Sequence, residues 1–539
     1  MPSRRPTPAF WLRVGPALVV CAAVVHLPSF IRSVWNPDEG FLATQARMLA
    51  AGGSLYGTVV DRKPPLLPWL YEGAFAVFGD GSLWPVRVLA VLAHVVTAAL
   101  LVSLARRRWG DRWGAAAGLG YLLLSIGLAP EDTQAANFEV FTLPWTVAAV
   151  WCAERSRWGW AGLACAGALL TKQTGAAVLL PVAWMLWRAA RDGKPALVRS
   201  RTPLVDGVAV GSALPATAGE AVLPPLRLLR AGIPGIRPAS DLLSAAPGDS
   251  AGPARTAWAW AWARLAAGVG VPVAVVALAV GARRFVFWTL TGSGTYASAS
   301  GAWLLALERA VGNAGILVGA GAGLVLPAAY LAVRRRRFAD ADLWLWLAAS
   351  VVAVVVGFQF YGHYYLQLMP PLVLLGVAAL RELPRWWKAA AIWTALAAGV
   401  FLTWGFTVPR TELDHAHTVA AAVQDHTSAN ATLLVWGMHP EHYWLARRTP
   451  ATRFLTAGFL TNFSGGRGGA RVGEQYAVAG AWRHFRRDLA LHPADLIVDD
   501  SRGAPYGPSH IPTLAALLAD HYEAVATVDG AVLYARVDR

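Results

Sequence analysis

Trp35-Asn36-Pro37-Asp38-Glu39-Gly40 and, one loop later, Asp61-Arg62-Lys63-Pro64-Pro65 decide how this chain is read. The doubled carboxylate follows an apolar run from about Phe10 to Ile31, which is long enough to cross a bilayer. A lysine between an arginine and two prolines comes next, so acid and base stand side by side at a membrane surface.

Composition extends that reading to the whole chain. Of 539 residues 56% are hydrophobic and 15% charged, more apolar than a soluble protein, and bilayer-length apolar runs recur. The net charge of +15 would suit a nucleic-acid binder, but the arginines sit at the ends of apolar runs. That is the positive-inside pattern of a membrane protein, and no nucleic-acid partner is expected. The three cysteines, Cys21, Cys152 and Cys165, lie inside apolar runs at no metal-ligand spacing, which argues against a disulfide or zinc site among them. No cofactor is certain; a divalent metal is possible but not indicated.

From the decisive stretch outward, residues 1 to 8 form a polar arm before a retained first span with a cytoplasmic N-terminus. Residues 36 to 84 then read as an external loop with two short interfacial helices. The first is capped by Asn36 with Pro37 at its first position and Glu39 at its third, and is stopped by Gly52-Gly53. The second begins at Pro64-Pro65 and stops at Gly79. Further spans alternate with arginine-dense cytoplasmic loops and outward loops, among them Glu131 to Glu139 and one through Tyr296. Residues 192 to 256, rich in Pro, Gly, Ala and Ser, read as a disordered cytoplasmic insertion. About eleven spans give a consistent topology, a polytopic helical protein of the plasma membrane. From about 410 onward, short strands at Thr432 to Trp436, Leu496 to Val498, Ala524 to Val528 and Ala531 to Ala535 alternate with helical stretches. They predict a small extracytoplasmic α/β domain at 410–539, after a membrane domain at 1–406.

The polar residues at the outer ends carry the chemistry. Glu39 is read equally well as a capping-box residue and as a functional one. For Asp38 the functional reading is favoured, because a carboxylate beside an apolar span is costly unless used or paired. Adjacent carboxylates repel, so one of the two is expected to have a raised pKa suited to a general base. Arg62 and Lys63 would serve as headgroup anchors, yet a lysine before a helix N-terminus also forms a cradle for an anion, and a phosphate site is inferred at Lys63. His363 can donate to a phosphate oxygen, whereas Tyr364 and Tyr365 suit an aromatic belt. Asn137 and Glu139 fit a helix cap or a substrate contact, and Lys172 with Gln173 fits snorkelling or a lipid-phosphate contact.

These motifs together resemble the GT-C membrane glycosyltransferases, of the bacterial protein O-mannosyltransferase and aminoarabinose-transferase type. Asp38-Glu39, the run Leu49 to Tyr56 into Asp61-Arg62-Lys63-Pro64-Pro65-Leu66, Glu139, Lys172-Gln173-Thr174 and His363-Tyr364-Tyr365 carry the likeness, over about residues 10 to 406 without the insertion. The resemblance implies a polyprenyl-phosphate-linked sugar donor, inverting single displacement onto an extracytoplasmic acceptor, and a catalytic aspartate matching Asp38. It also implies that Lys63 matches the donor-phosphate lysine and that His363 and Tyr364 lie near the donor. The insertion and the C-terminal domain depart from the family pattern. A phosphate leaving group needs no protonating acid, so one carboxylate suffices where a glycosidase needs a spaced pair. The alternative is a transporter or lipid-linked sugar flippase, which would concentrate polar residues at mid-membrane on interrupted helices and show an internal repeat.

Overall fold

The computed structural model describes residues 8–192, 251–292, 303–335, 340–463 and 471–537. The expected insertion at 192–256 and the loop through Tyr296 lie largely outside them. Helix α1 (Pro8–His26) leads through a short 3-10 turn to α2 (Pro37–Ala50), α3 (Leu66–Phe78) and the long α4 (Trp84–Trp109). Helices α5 (Asp111–Leu124), α6 (Pro130–Thr133), α7 (Phe138–Ala153), α8 (Trp158–Thr171) and α9 (Leu179–Arg191) follow. After the gap come α10 (Ala251–Ala279), α11 (Ala282–Val286), α12 (Trp303–Ala320) and α13 (Ala322–Arg335). The bundle closes with α14 (Ala341–Val356), α15 (Met369–Glu382) and α16 (Trp387–Thr407).

This is a multi-pass membrane protein. Six helical stretches among the described residues are long and apolar enough to cross a bilayer, fewer than the eleven spans expected. Part of the difference arises where an apolar run is broken by a short 3-10 segment, Gln173–Val178 between α8 and α9. Length alone discounts the pieces on either side of such a break.

Local rules explain α2. The Asn36 side chain accepts a hydrogen bond from the Asp38 backbone N–H at 2.8 Å, and Pro37 occupies the first turn. Gly52, at φ +90°, takes the left-handed conformation that ends the helix.

Beyond α16, helices α17 (Thr411–His426) and α18 (Glu441–Ala446) accompany a five-stranded sheet. Its strands are β1 (Thr432–Trp436), β2 (Thr449–Pro450), β3 (Leu496–Asp499), β4 (Tyr522–Val528) and β5 (Ala531–Arg536), in the order β2-β1-β3-β5-β4. β1 runs parallel to β2 and β3, and β5 runs antiparallel to β3 and β4, with Ile497 opposite both Leu434 and Tyr534. Two more helices, Ala481–Leu491 and Pro512–His521, complete this small α/β unit. Helices α17 and α18 are additions to the sequence reading.

The small unit shares its core with the segment between α1 and α4. Phe41, Leu49, Tyr56 and Val59 belong to one buried cluster with Val435, Phe454 and Phe459. Trp444 on α18 stacks on Phe75 of α3, ring centroids 5.3 Å apart, and Arg47 of α2 lies over the Trp444 ring. Closest is Gly40, where an added Cβ would lie 2.5 Å from Cβ and 2.7 Å from Cα of Glu441. Gly40→Ala is therefore expected to prise the small unit from α2 and destabilise by about 1–3 kcal/mol, as overpacking does. Thermal unfolding and protease release of the C-terminal unit would measure it.

Candidate active site

At the end of the bundle facing the sheet unit, side chains from six segments converge. Asp38 stands in the first turn of α2, with its Oδ2 3.5 Å from Nζ of Lys63 in the α2–α3 loop. The loop is shaped to present that lysine. Asp61 Oδ1 accepts the Lys63 backbone N–H, Asp61 Oδ2 accepts from Gln45, and the Tyr56 hydroxyl donates to the Lys63 carbonyl at 2.7 Å. The ammonium also lies over the ring of Phe138, the first residue of α7. Burial pushes the Asp61 carboxyl up, more than Lys63 and its hydrogen bonds push it down.

Behind this pair lies a second charged layer. Lys172, at the break after α8, pairs with Glu139 of α7 and sits over the Tyr364 ring. His363, on the 3-10 segment before α15, places Nδ1 2.6 Å from Asp132 Oδ1 of α6 and Nε2 3.9 Å from Glu139. Gly362 lets the two segments approach, since a Cβ there would lie 2.5 Å from Asp132 Oδ2. Asp38, Lys63, Glu139, Lys172, His363 and Tyr364 thus form one cluster.

The other residues singled out from sequence surround it. Glu39 turns away from Asp38 into the protein, where Arg87 Nη2 approaches its Oε2 at 2.7 Å and both side chains are essentially fully buried. Its carboxylate also accepts the backbone N–H groups of Trp35 and Ala136, both at 2.9 Å. Asn137 caps α7, accepting from the Val140 N–H. Gln173 donates to the carbonyls of Arg62 and Thr289, while the Arg62 guanidinium lies over Phe459 of the sheet unit.

One sequence expectation is corrected here. The neighbouring carboxylate does not raise Asp38, because adjacent helix positions do not face each other. Burial pushes the Asp38 carboxyl up, but Lys63, with His363 and Lys172 behind it, outweighs burial and holds it below the usual carboxylate range.

Two residues escaped the sequence reading. Arg87 carried a signal, because an arginine inside the bilayer-length run of α4 is costly without a partner. Asp132 carried none, since nothing in the sequence says that it meets a histidine from a distant loop.

Comparison with known proteins places this geometry. Residues 62–217 match the family model described as dolichyl-phosphate-mannose-protein mannosyltransferase. The chain is 32% identical over 192 residues to the undecaprenyl phosphate-alpha-4-amino-4-deoxy-L-arabinose arabinosyl transferase of Pseudomonas aeruginosa, and 31% identical over 192 residues to that of Pseudomonas paraeruginosa. Each match covers 32% of this chain and 34% of the relative, so the likeness spans about a third of those proteins. Two crystal structures of ArnT from Cupriavidus metallidurans, one bound to undecaprenyl phosphate and one apo, superpose with TM-scores of 0.59 and 0.58 at 16% and 15% identity. The undecaprenyl phosphate-bound structure is covered over 99% of its length, by 98% of this chain. The chain shares the fold of these two structures. Lys63, Glu139 and Lys172 fall inside the segment matched by the family model, whereas Asp38 precedes it and His363 follows it.

Proposed function

We propose that this protein transfers a monosaccharide from a polyprenyl-phosphate donor to an extracytoplasmic acceptor, with Asp38 as general base and Lys63 as the cation on the departing phosphate. The observation that carries the proposal is the half-open Asp38–Lys63 pair at the centre of the cluster. With a quarter to a third of each side chain exposed, such a pair contributes only about 0–1 kcal/mol, so an incoming anion can take its place. A donor phosphate binding Lys63 would remove the charge that holds the Asp38 pKa down, making Asp38 a better base once the donor is seated.

In the single displacement, the acceptor hydroxyl or amine attacks the anomeric carbon. Its proton passes to Asp38, and the bond from that carbon to the phosphate oxygen breaks toward Lys63, which meets the second negative charge. His363 and Tyr364 stand close enough to orient the donor, and Lys172 and Glu139 would set the field behind it. In this reading the N-terminus is cytoplasmic, residues 1–406 form the catalytic membrane domain, and residues 410–539 form an extracytoplasmic domain over the cleft.

The test is to incubate purified protein with labelled polyprenyl-phosphate sugars and membrane extract. Sugar appearing on an acceptor is the expected result; donor crossing the bilayer without any transfer would sink the proposal. Lys63→Ala should lower kcat on the order of tenfold to a thousandfold, the range for losing one oxyanion donor, and by more than it weakens donor binding. The sign of its pH effect is also set. Asp38 must be ionised to act, Lys63 lowers its pKa, and removing Lys63 therefore moves the acid limb of the pH–rate profile to higher pH. An acid limb that stayed in place would separate Lys63 from Asp38.

A further inference from the structure

A second constellation of ionisable side chains lies in the C-terminal unit, away from the Asp38 cluster. Asp500, just beyond β3, has a fully buried side chain whose two oxygens each meet an imidazole. His415 Nε2, from α17, is 3.0 Å from Oδ1, and His442 Nε2, from α18, is 3.0 Å from Oδ2. The three residues are all buried, and one donor atom from each lies within 4.8 Å of the others. Nitrogen and oxygen ligands on a shell of about 2.0–2.2 Å stand about 3 Å apart, so little rearrangement would let these atoms close on one ion.

The surroundings favour a cation. Glu441 is buried, its Oε1 is 2.9 Å from His439 Nδ1, and its Oε2 lacks a hydrogen-bond partner among the described residues. His442 Nδ1 is likewise buried without a partner. The His439 ring centroid lies 5.8 Å from that of His442 and 6.2 Å from that of His415. Arg502 is the positive group beside these acids, 3.2 Å from Asp500 and 2.7 Å from Glu412. Two carboxylates around one guanidinium, with the buried Glu441 beside His439, leave an excess of negative charge, part of it buried where it is costly.

We propose that His415, His442 and Asp500 bind one divalent transition-metal ion of zinc's class, tying α17 and α18 to the end of β3. Two imidazole nitrogens with a carboxylate suit zinc and its neighbours, whereas magnesium and calcium prefer all-oxygen sites. The site would also stiffen α18, whose Glu441 abuts Gly40 two residues from Asp38. This inference stands on the C-terminal unit alone and does not depend on the transfer reaction.

The experiment uses the full-length protein in detergent, stripped with chelator, exposed to Zn²⁺ and desalted. Expected are about one zinc per chain by elemental analysis and a higher thermal midpoint with Zn²⁺ than without, as for any ligand that binds only the folded state. Loss of a second-shell partner already weakens metal binding about 10–100-fold, so Asp500→Asn or His442→Gln should exceed about 100-fold. If those core variants fail to fold, His415→Gln, at the edge of the cluster, carries the same test with folding checked by circular dichroism. Failure of the stripped wild-type protein to take up zinc would overturn the proposal. So would full zinc content in His415→Gln and Asp500→Asn, because the ion would then reside elsewhere.

Discussion

Asp38→Asn is expected to insert, fold and bind donor while losing sugar transfer on the order of 10²–10⁴-fold, the usual contribution of a positioned general base. The substitution keeps the shape of the side chain, and the cap of α2 is unaffected because it comes from Asn36. What disappears is the charge that faces Lys63 at 3.5 Å and that, in the proposed reaction, takes the acceptor's proton. Product formation by purified protein, with donor binding followed in parallel, checks both halves; near-normal turnover would remove Asp38 from the mechanism.

Arg87→Met should fail in the opposite way, with transfer lost because the protein no longer folds. It leaves the Glu39 carboxylate buried without its cation, a change that costs about 3–5 kcal/mol when one partner of a sealed pair is removed. The Arg87 guanidinium also donates to the carbonyls of Ser29 and Arg32 at 2.6 Å, so the turn between α1 and α2 loses its anchor as well. Size-exclusion profiles and thermal midpoints in detergent measure this, and a wild-type midpoint would show that the pair holds nothing together. Adjacent residues of one helix are thus separated by experiment, Asp38 through activity and Glu39 through stability.

How much of this was legible in the sequence follows from the range of the interactions. The cap at Asn36, the stop at Gly52 and four of the five strands of the small sheet are set by near neighbours and are displayed by the chain directly, whereas the two-residue β2 is not. The lysine before two prolines was legible because it lies in the same loop as the helix it precedes. The pairing of His363 with Asp132, and of His415 and His442 with Asp500, is created only when distant segments meet. No periodicity or spacing encodes such meetings. The opposite fates of Asp38 and Glu39 were obscured for a related reason: the identity of the residue awaiting each carboxylate, Lys63 or Arg87, is a fact of packing.

The contact between Gly40 and Glu441 has a consequence for biosynthesis. Helix α2 leaves the ribosome well before the segment that seats it, which carries Glu441. The packing around α2 is therefore completed only after α18 has been made and folded. A nascent chain, or one cut short before residue 441, would hold Asp38, Lys63 and His363 yet lack the surface that sets α2 in place. If the proposed transfer holds, the reacting residues are made well before the segment that seats them.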